Sequence, residues 1–169
     1  SSDYRSNVGL CETTGNAVLV RVRMYDRFGY LLGSRSHNLD AYSSEQINDV
    51  FGFLGVSGRD NVRVTLEVTA GGGRILGYAS VVDHLSSDQI YVPAVMAPAS
   101  PEPLFVSAGA SAEGASGSLW RTDLRVANVA GTTRAMRLSY LPTGEDNTSP
   151  ASDTFSLAPG EVLALDDVI

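Results

Sequence analysis

Two segments of this chain alternate apolar and polar residues with a period of two, and this alternation constrains the fold more than any other feature. In Val18–Met24 the even-numbered residues are apolar, while Arg21 and Arg23 occupy the other face. Val62–Thr69 repeats the pattern, with valine and leucine alternating with arginine, threonine and glutamate. Successive side chains of a strand point to opposite faces of a sheet, so both segments are predicted to be half-buried strands. The sequence therefore favours an all-β, antiparallel fold.

Glycine and proline indicate where the chain turns. Gly71-Gly72-Gly73 follows the second alternating segment and predicts a hairpin to a further strand at 74–82. Another strand is expected at Ile90–Val92, closed by Pro93, which cannot donate a backbone hydrogen bond.

One stretch has the spacing of a helix. Its apolar residues recur at helical intervals, namely Ile47, Val50, Phe51 and Leu54. Ser43 and Ser44 precede them, close to Glu45 and Gln46, as in a helix-capping sequence. We expect a short helical turn over 43–51 that joins two sheets and is ended by Gly55 and Gly58.

Two segments of the chain align with two later segments in the same order. Residues 4–15 (YRSNVGLCETTG) align without gaps on 120–131 (WRTDLRVANVAG), and residues 36–51 align on 154–169. The offsets are 116 and 118 residues, so the later copy has two additional residues in its loop within Pro142–Asp153. Self-similarity at a nearly fixed spacing indicates an internal repeat.

The composition changes between the two copies. Residues 97–118 are rich in Ala, Ser, Gly, Pro and Glu, and strand patterns resume after them at Trp120–Asn128 and Arg134–Leu141. We predict a complete β-sandwich repeat at 1–96, a linker at 97–118 with a short strand at Leu104–Val106, and the first half of a second repeat at 119–169. The counterpart strands of 61–94 are not found in the second copy.

Several motifs of the chain resemble those of a known but uncharacterised type of tandem module in large secreted bacterial proteins. The motifs are YR-N-VGL at 4–10, YASVVD at 78–83, YVPA at 91–94, WRTDL with Asn128 at 120–128, and an L-A-GE-L-DV pattern within 157–168. The resemblance covers most of the chain. It implies an Ig-like antiparallel β-sandwich and an extracellular or cell-surface location, and it implies no activity and no site residues.

Charge and hydropathy disfavour several classes of partner. The formal net charge is −7, whereas binding to nucleic acid or to an anionic membrane requires a clustered basic face. No run approaches the 18 apolar residues that a membrane-spanning helix needs. Cys11 is the single cysteine, so no internal disulfide forms, and its apolar surroundings predict a small core residue.

The chain lacks the residue groups from which catalytic sites are built, so we expect no enzymatic activity and no cofactor. Nucleophilic catalysis needs a base within reach of a serine or cysteine, and the two histidines, His37 and His84, occur in packing or turn contexts. Asp166-Asp167 resembles a carboxylate pair, but the aligned residues are Asn48-Asp49, so the shared Asp49/Asp167 position is interpreted as a turn residue.

A calcium site is the weaker of two interpretations of the loop after Tyr140. Asp146, Asn147 and Asp153 supply oxygen ligands of the kind that calcium prefers. Their spacing fits no established calcium loop, and a solvated loop is favoured instead.

Two functional hypotheses of different classes remain. In the first, the half repeat needs a cover for the apolar face formed by Met136, Leu138, Tyr140, Leu163 and Leu165. The cover is supplied by the first domain, by further sequence, or by another copy through strand addition, which predicts a structural or adhesive, self-associating or fibre-forming module. In the second, the chain is a carbohydrate-binding appendage of a secreted enzyme, with Trp120 stacking on sugar and tyrosines forming a platform, namely Tyr25, Tyr30, Tyr42, Tyr78 and Tyr91.

Overall fold

The computed structural model describes residues 4–96, 103–107 and 109–169. Strands dominate the described residues, all their pairings are antiparallel, and the one α-helix has five residues. The all-β class predicted from the alternating segments is therefore confirmed. Residues 97–102 and 108 of the predicted linker lie outside the described residues, and Leu104–Val106 are not part of a strand.

The chain divides into two compact units. The first unit comprises Ser1–Asp26 and Tyr30–Ala97, and the second comprises Arg27–Gly29 and Pro98–Ile169. No helix among the described residues has the length and apolar character needed to cross a membrane.

The described strands of the first unit form two sheets. Its elements in chain order are β1 (Tyr4–Glu12), β2 (Val18–Tyr25), β3 (Leu31–Leu39), β4 (Ser44–Ile47), α1 (Val50–Leu54), β5 (Arg63–Gly71), β6 (Ile75–Asp83) and β7 (Gln89–Pro93). One sheet has the order β4-β1-β6-β7 and the other has the order β3-β2-β5. Strands β1 and β2 are thus flanked on both edges.

The core of the first unit lies between these sheets. The even-numbered residues of β2, from Val18 to Met24, are buried together with Val8 and Leu10 of β1. Val64, Leu66 and Val68 of β5 pack against the same cluster, as the period-two pattern predicts. Each buried aliphatic side chain stabilises the fold by roughly 1.5–3 kcal/mol. Cys11 is only half-buried and lies in β1 on the face opposite Leu10, so its assignment to the core was wrong.

The helical turn predicted over 43–51 is wrong in its first half. Ser44–Ile47 is a strand paired with β1, and Ile47 is buried in the core cluster. The helix begins at Val50, and its cap is Asp49, whose side chain accepts a hydrogen bond from the Gly52 N–H. Pairing with the free edge of β1 outweighs the local helical spacing. Gly55 ends the helix in a left-handed conformation, as expected.

The hairpin predicted at Gly71–Gly73 is also wrong. β5 pairs with β2 and β6 pairs with β1, so the glycine segment carries the chain from one sheet to the other. Gly71 has φ +90°, and a Cβ on Gly73 would lie 2.5 Å from the Asn16 carbonyl oxygen. Gly71 and Gly73 are needed because the backbone passes close to residues 16–18, whereas a Cβ on Gly72 would meet nothing within 4 Å.

The described residues of the second unit form three two-stranded sheets. Its strands are β8 (Ala112–Glu113), β9 (Leu119–Trp120), β10 (Leu124–Ala127), β11 (Arg134–Ser139), β12 (Ser152–Leu157) and β13 (Val162–Leu165). A short 3-10 turn at Ala115–Gly117 joins β8 to β9, which pair with each other. β10 pairs with β13, and β11 pairs with β12. Of the described residues in this unit, only Asn128 and Leu157 are buried.

Candidate functional site

The pairing of β10 with β13 has the same register as the pairing of β1 with β4. In the first unit, Val8 faces Ile47 and Cys11 faces Ser44. Leu124 faces Leu165 and Ala127 faces Val162, which are the residues 116 positions after those of β1 and 118 positions after those of β4. We call residues related by these two offsets matched residues.

The pairing of β11 with β12 matches that of β2 with β3 over all its six residue pairs. Val18 faces Leu39 at one end of the first unit's pair, and their matched residues Arg134 and Leu157 face each other. At the other end, Ser139 faces Ser152, as Arg23 faces Ser34. The loop between β11 and β12 is two residues longer, and this does not disturb the register.

A left-handed residue lies two positions after the last residue of β4 and two positions after the last residue of β13. Asp49 and its matched residue Asp167 have φ values of 53° and 54°. The Asp49 N–H donates to Asn7 Oδ1 at 3.2 Å, and the Asp167 N–H donates to Asp123 Oδ1 at 3.0 Å. Asn7 and Asp123 are themselves matched. The turn role inferred for Asp49 and Asp167 agrees with this geometry.

Glu12 is a buried carboxylate that fixes the loops at the end of β1. It accepts hydrogen bonds from the Thr14 hydroxyl and from a set of backbone N–H groups, those of Thr14, Gly15, Asn16, Tyr42 and Arg74. Burial raises the pKa of Glu12, but the bonds from Thr14, Tyr42 and Gly15 outweigh burial and lower it from 4.5 to about 2. The carboxylate therefore stays ionised and holds three segments together.

Asn128, matched to Glu12, also holds neighbouring segments of its unit together, but mainly as a hydrogen-bond donor where Glu12 is an acceptor. Its side-chain N–H₂ donates to the carbonyl oxygens of Thr132, Leu157 and Ala158 at 2.9–3.0 Å. Its Oδ1 accepts from the Ala130 N–H, two residues on, as Glu12 accepts from Thr14. Sequence reasoning assigned no role to either residue, because an acid aligned on an amide carries no obvious signal.

Two strand pairings that the central strands β1 and β2 make in the first unit have no counterpart among the described residues of the second. β1 pairs with β6 on the edge opposite β4, and β2 pairs with β5 on the edge opposite β3. In the described part of the second unit, β10 pairs only with β13 and β11 only with β12. No strand pairs with the other edges of β10 and β11 in the described part of this unit, and a strand edge without a paired strand favours the addition of a further strand. We call these two edges the open edges.

Four of the five predicted self-association residues lie on β11 and β13, the strands that bear or neighbour these open edges. Val20, Val22 and Met24 are 0% exposed. Their matched residues are less buried, since Met136 and Leu138 are half-buried and Tyr140, just beyond β11, is 50% exposed. Leu163 and Leu165 of β13 are half-buried as well. The five residues therefore retain apolar surface, as a face that lacks its cover would.

The other residues singled out from the sequence do not converge on one place. His37 contacts Glu45, with 2.9 Å between Nε2 and Oε2, and the matched residues are Phe155 and Leu163. Asp166 pairs with Arg125 at 2.6 Å, and Asp167 with Arg121. His84 lies in the turn between β6 and β7.

Two of the three calcium candidates, Asp146 and Asn147, are engaged in hydrogen bonds of the loop after Tyr140. Asp146 Oδ1 accepts from the Thr148 N–H at 3.0 Å, and this bond holds the pKa of Asp146 below its ordinary value. The Asn147 amide donates to the Pro142 carbonyl oxygen, and Asp153 lies in β12 opposite Leu138. Among the residues that the structure describes, no group of three or more His, Cys, Asp or Glu side chains is placed to hold a metal ion.

The aromatic residues form one close pair within the proposed platform. The rings of Tyr78 and Tyr91 are 5.3 Å apart and tilted by 32°, and the Tyr78 hydroxyl donates to Gln46 Oε1 at 3.0 Å. Tyr78 lies across Gly9 of β1, where a Cβ would collide with its ring. Trp120 is exposed in β9.

No family model matches the chain, and comparison with curated proteins and with solved structures found no significant similarity.

Proposed function

We propose that this chain is a non-catalytic, structural or adhesive module built from one complete Ig-like β-sandwich repeat and the first half of a second, and that it associates through the open edges. The proposed boundaries are 1–96 for the complete repeat, 97–118 for the linker and 119–169 for the half repeat. The extracellular or cell-surface location rests on the resemblance of its motifs to tandem modules of secreted bacterial proteins.

The observation that carries the proposal is the matched register of the two strand pairs. β10 with β13 and β11 with β12 repeat the pairings of β1 with β4 and β2 with β3 at constant offsets. The first unit adds β5 and β6 to the central strands of these pairs, and its core is closed by them. An unpaired strand edge beside an uncovered apolar face favours association with a further strand.

The use of ionisable side chains supports a non-catalytic role. Glu12 is held by backbone N–H groups, His37 by Glu45, and Asp166 and Asp167 by arginines. These groups stabilise turns and strand ends, which is a structural use of charge.

Size in solution tests this function. We expect the mass measured by sedimentation or light scattering to rise above 17.8 kDa as concentration increases. Hydrogen exchange should show that the amides of β10 and β11 become protected at high concentration. A monomer at every concentration, with unchanged exchange in β10 and β11, would contradict the proposal.

The Tyr78–Tyr91 pair supports a second candidate function, binding of a neutral polysaccharide. The half-buried ring of Tyr78 and the exposed ring of Tyr91, beside the side-chain amide of Gln46, are suited to stacking on sugar rings, and the net charge of −7 disfavours acidic polysaccharides. Affinity electrophoresis in gels containing neutral polysaccharide tests it. Tyr91→Ala and Trp120→Ala should each reduce the retardation if their rings stack on sugar, whereas Tyr30→Ala, an exposed tyrosine outside the pair, should leave it unchanged.

A further inference from the structure

The second unit contains an exposed apolar segment as well as open edges. Leu104, Phe105 and Val106 are consecutive and are 85%, 80% and 66% exposed. They belong to no helix or strand among the described residues. Three consecutive exposed apolar residues are unfavourable in water unless a partner covers them.

A strand that fills the open edge of β11 must have a defined pattern of side chains. In the first unit, β5 fills the matched edge of β2, with Leu66 facing Val22, Glu67 facing Arg21 and Val68 facing Val20. The filling strand thus presents apolar residues at alternate positions to the core and a different residue to the outer face. The residues of β11 matched to Val22, Arg21 and Val20 are Leu138, Arg137 and Met136.

The exposed segment has this pattern. Leu104 and Val106 are two positions apart and share one face of a strand, and Phe105 lies on the other face. In the antiparallel register of β5, Leu104 faces Leu138, Val106 faces Met136 and Phe105 faces Arg137. An arginine stacks favourably on an aromatic ring, as Arg63 does on Tyr25, 4.4 Å from the ring centroid. Pro103 precedes the segment, where the missing N–H of a proline is tolerated.

We propose that residues Leu104–Val106 of one copy add as an antiparallel strand to the open edge of β11 in a second copy. The proposal rests on the proposed function and identifies its partner: the occupant of the edge is this chain itself. Because donor and acceptor are different surfaces, the contact is head-to-tail and each copy can both give and receive a strand. Repetition of the contact produces a linear assembly.

The test uses the full chain and a variant in which the donor is disabled, Leu104→Asp together with Val106→Asp. Both side chains are exposed, so the fold should be retained, and circular dichroism checks this. The dissociation constant should rise by at least about 10-fold, since two apolar side chains no longer become buried. Leu85→Asp, at another exposed leucine in the β6–β7 turn, is the matched control and should leave association unchanged.

A mixing experiment tests which copy donates the strand and which copy accepts it. The donor variant keeps its β11 edge, so it accepts a strand from the native chain but gives none. Added in excess to native chain, it should shorten the assemblies to dimers, whereas the Leu85→Asp variant should not. A peptide of residues 103–107 should protect the β11 amides from exchange, and a peptide of the same composition in scrambled order should not.

The outcomes separate the two proposals. If native chain associates and the donor variant associates equally, residues 104–106 are not the donor, while self-association stands. If native chain stays monomeric at every concentration, self-association fails and the donor assignment fails with it.

Discussion

The two units share two strand pairings in the same register but differ in how deeply the central strand is buried. In the first unit, Val20, Val22 and Met24 are fully buried between two sheets. In the second, the matched residues Met136, Leu138 and Tyr140 keep exposed surface although their strand has the same partner in the same register. Correct pairing of two strands is therefore not sufficient to bury their apolar face. In the first unit the additional strands β5 and β6 complete the core, and the difference in burial between the units measures their contribution.

The sharpest test of this comparison truncates one methionine in each unit. Met24→Ala removes a fully buried side chain and should lower the free energy of unfolding by about 2–5 kcal/mol. Met136→Ala removes a side chain that is only half-buried. Less buried apolar surface is lost than in Met24→Ala, so the free energy of unfolding should fall by less than about 1.5 kcal/mol. Chemical denaturation followed by hydrogen exchange mass spectrometry measures each unit separately. Equal losses would mean that the second unit has a closed core.

A second prediction concerns the matched polar residues. Asn128→Asp replaces an amide N–H₂, which donates to three carbonyl oxygens, by an oxygen that repels them. The second unit should lose roughly 1–3 kcal/mol of stability, because buried carbonyl groups lose their donor. Asn128→Ser, which keeps a small donor, should lose less. Thermal unfolding monitored by the fluorescence of the single Trp120 reports the change.

The pH dependence should distinguish the units further. The folded pKa of Glu12 is about 2, below its ordinary value of 4.5. A depressed folded pKa contributes stability that is complete above the unfolded pKa and is lost as pH falls, here from about 4.5 to about 2. The first unit should lose this contribution over that window, and Glu12→Gln should remove it. Denaturant midpoints at pH 7, 4 and 2 measure it; an identical pH profile in native chain and Glu12→Gln would contradict the assigned role.

Much of the first unit is predictable from local pattern. The alternation in Val18–Met24 identifies β2 and the direction of its side chains, because a central strand packed on one face must follow a period of two. β3 is not predicted, since its sequence around Gly33 and Arg35 has no alternation and it is held at a sheet edge by pairing with β2. β4 is misassigned for the same reason: pairing with β1 determines its conformation, and that partner is distant in sequence.

The candidate site is predictable only in outline. Alignment of residues 4–15 on 120–131 and of 36–51 on 154–169 indicates which strands lack partners, and it directs attention to Met136, Leu138 and Tyr140. The alignment does not predict that Leu104–Val106 are exposed, because the exposure of a linker depends on which other parts of the chain pack against it. The roles of Glu12 and Asn128 are not predicted from the sequence, because they depend on the backbone groups that surround each side chain. N–H groups surround the Glu12 carboxylate, whereas carbonyl groups surround the Asn128 amide.

The smallest expected effect comes from the outer face of β1. Gly9 lies beneath the ring of Tyr78, and its matched residue in β10 is Arg125. A glycine is required only where another strand brings a ring across it, so the arginine fits a strand whose edge is open. Gly9→Ala should displace the Tyr78 ring from its hydrogen bond to Gln46 and cost about 1 kcal/mol. Tyr78→Phe removes that hydrogen bond alone and serves as the control in thermal unfolding. If Gly9→Ala has no effect in the native chain or in the Tyr78→Phe variant, the Tyr78 ring does not need a glycine beneath it. The absence of a strand beside β10 then no longer explains why an arginine is tolerated at position 125.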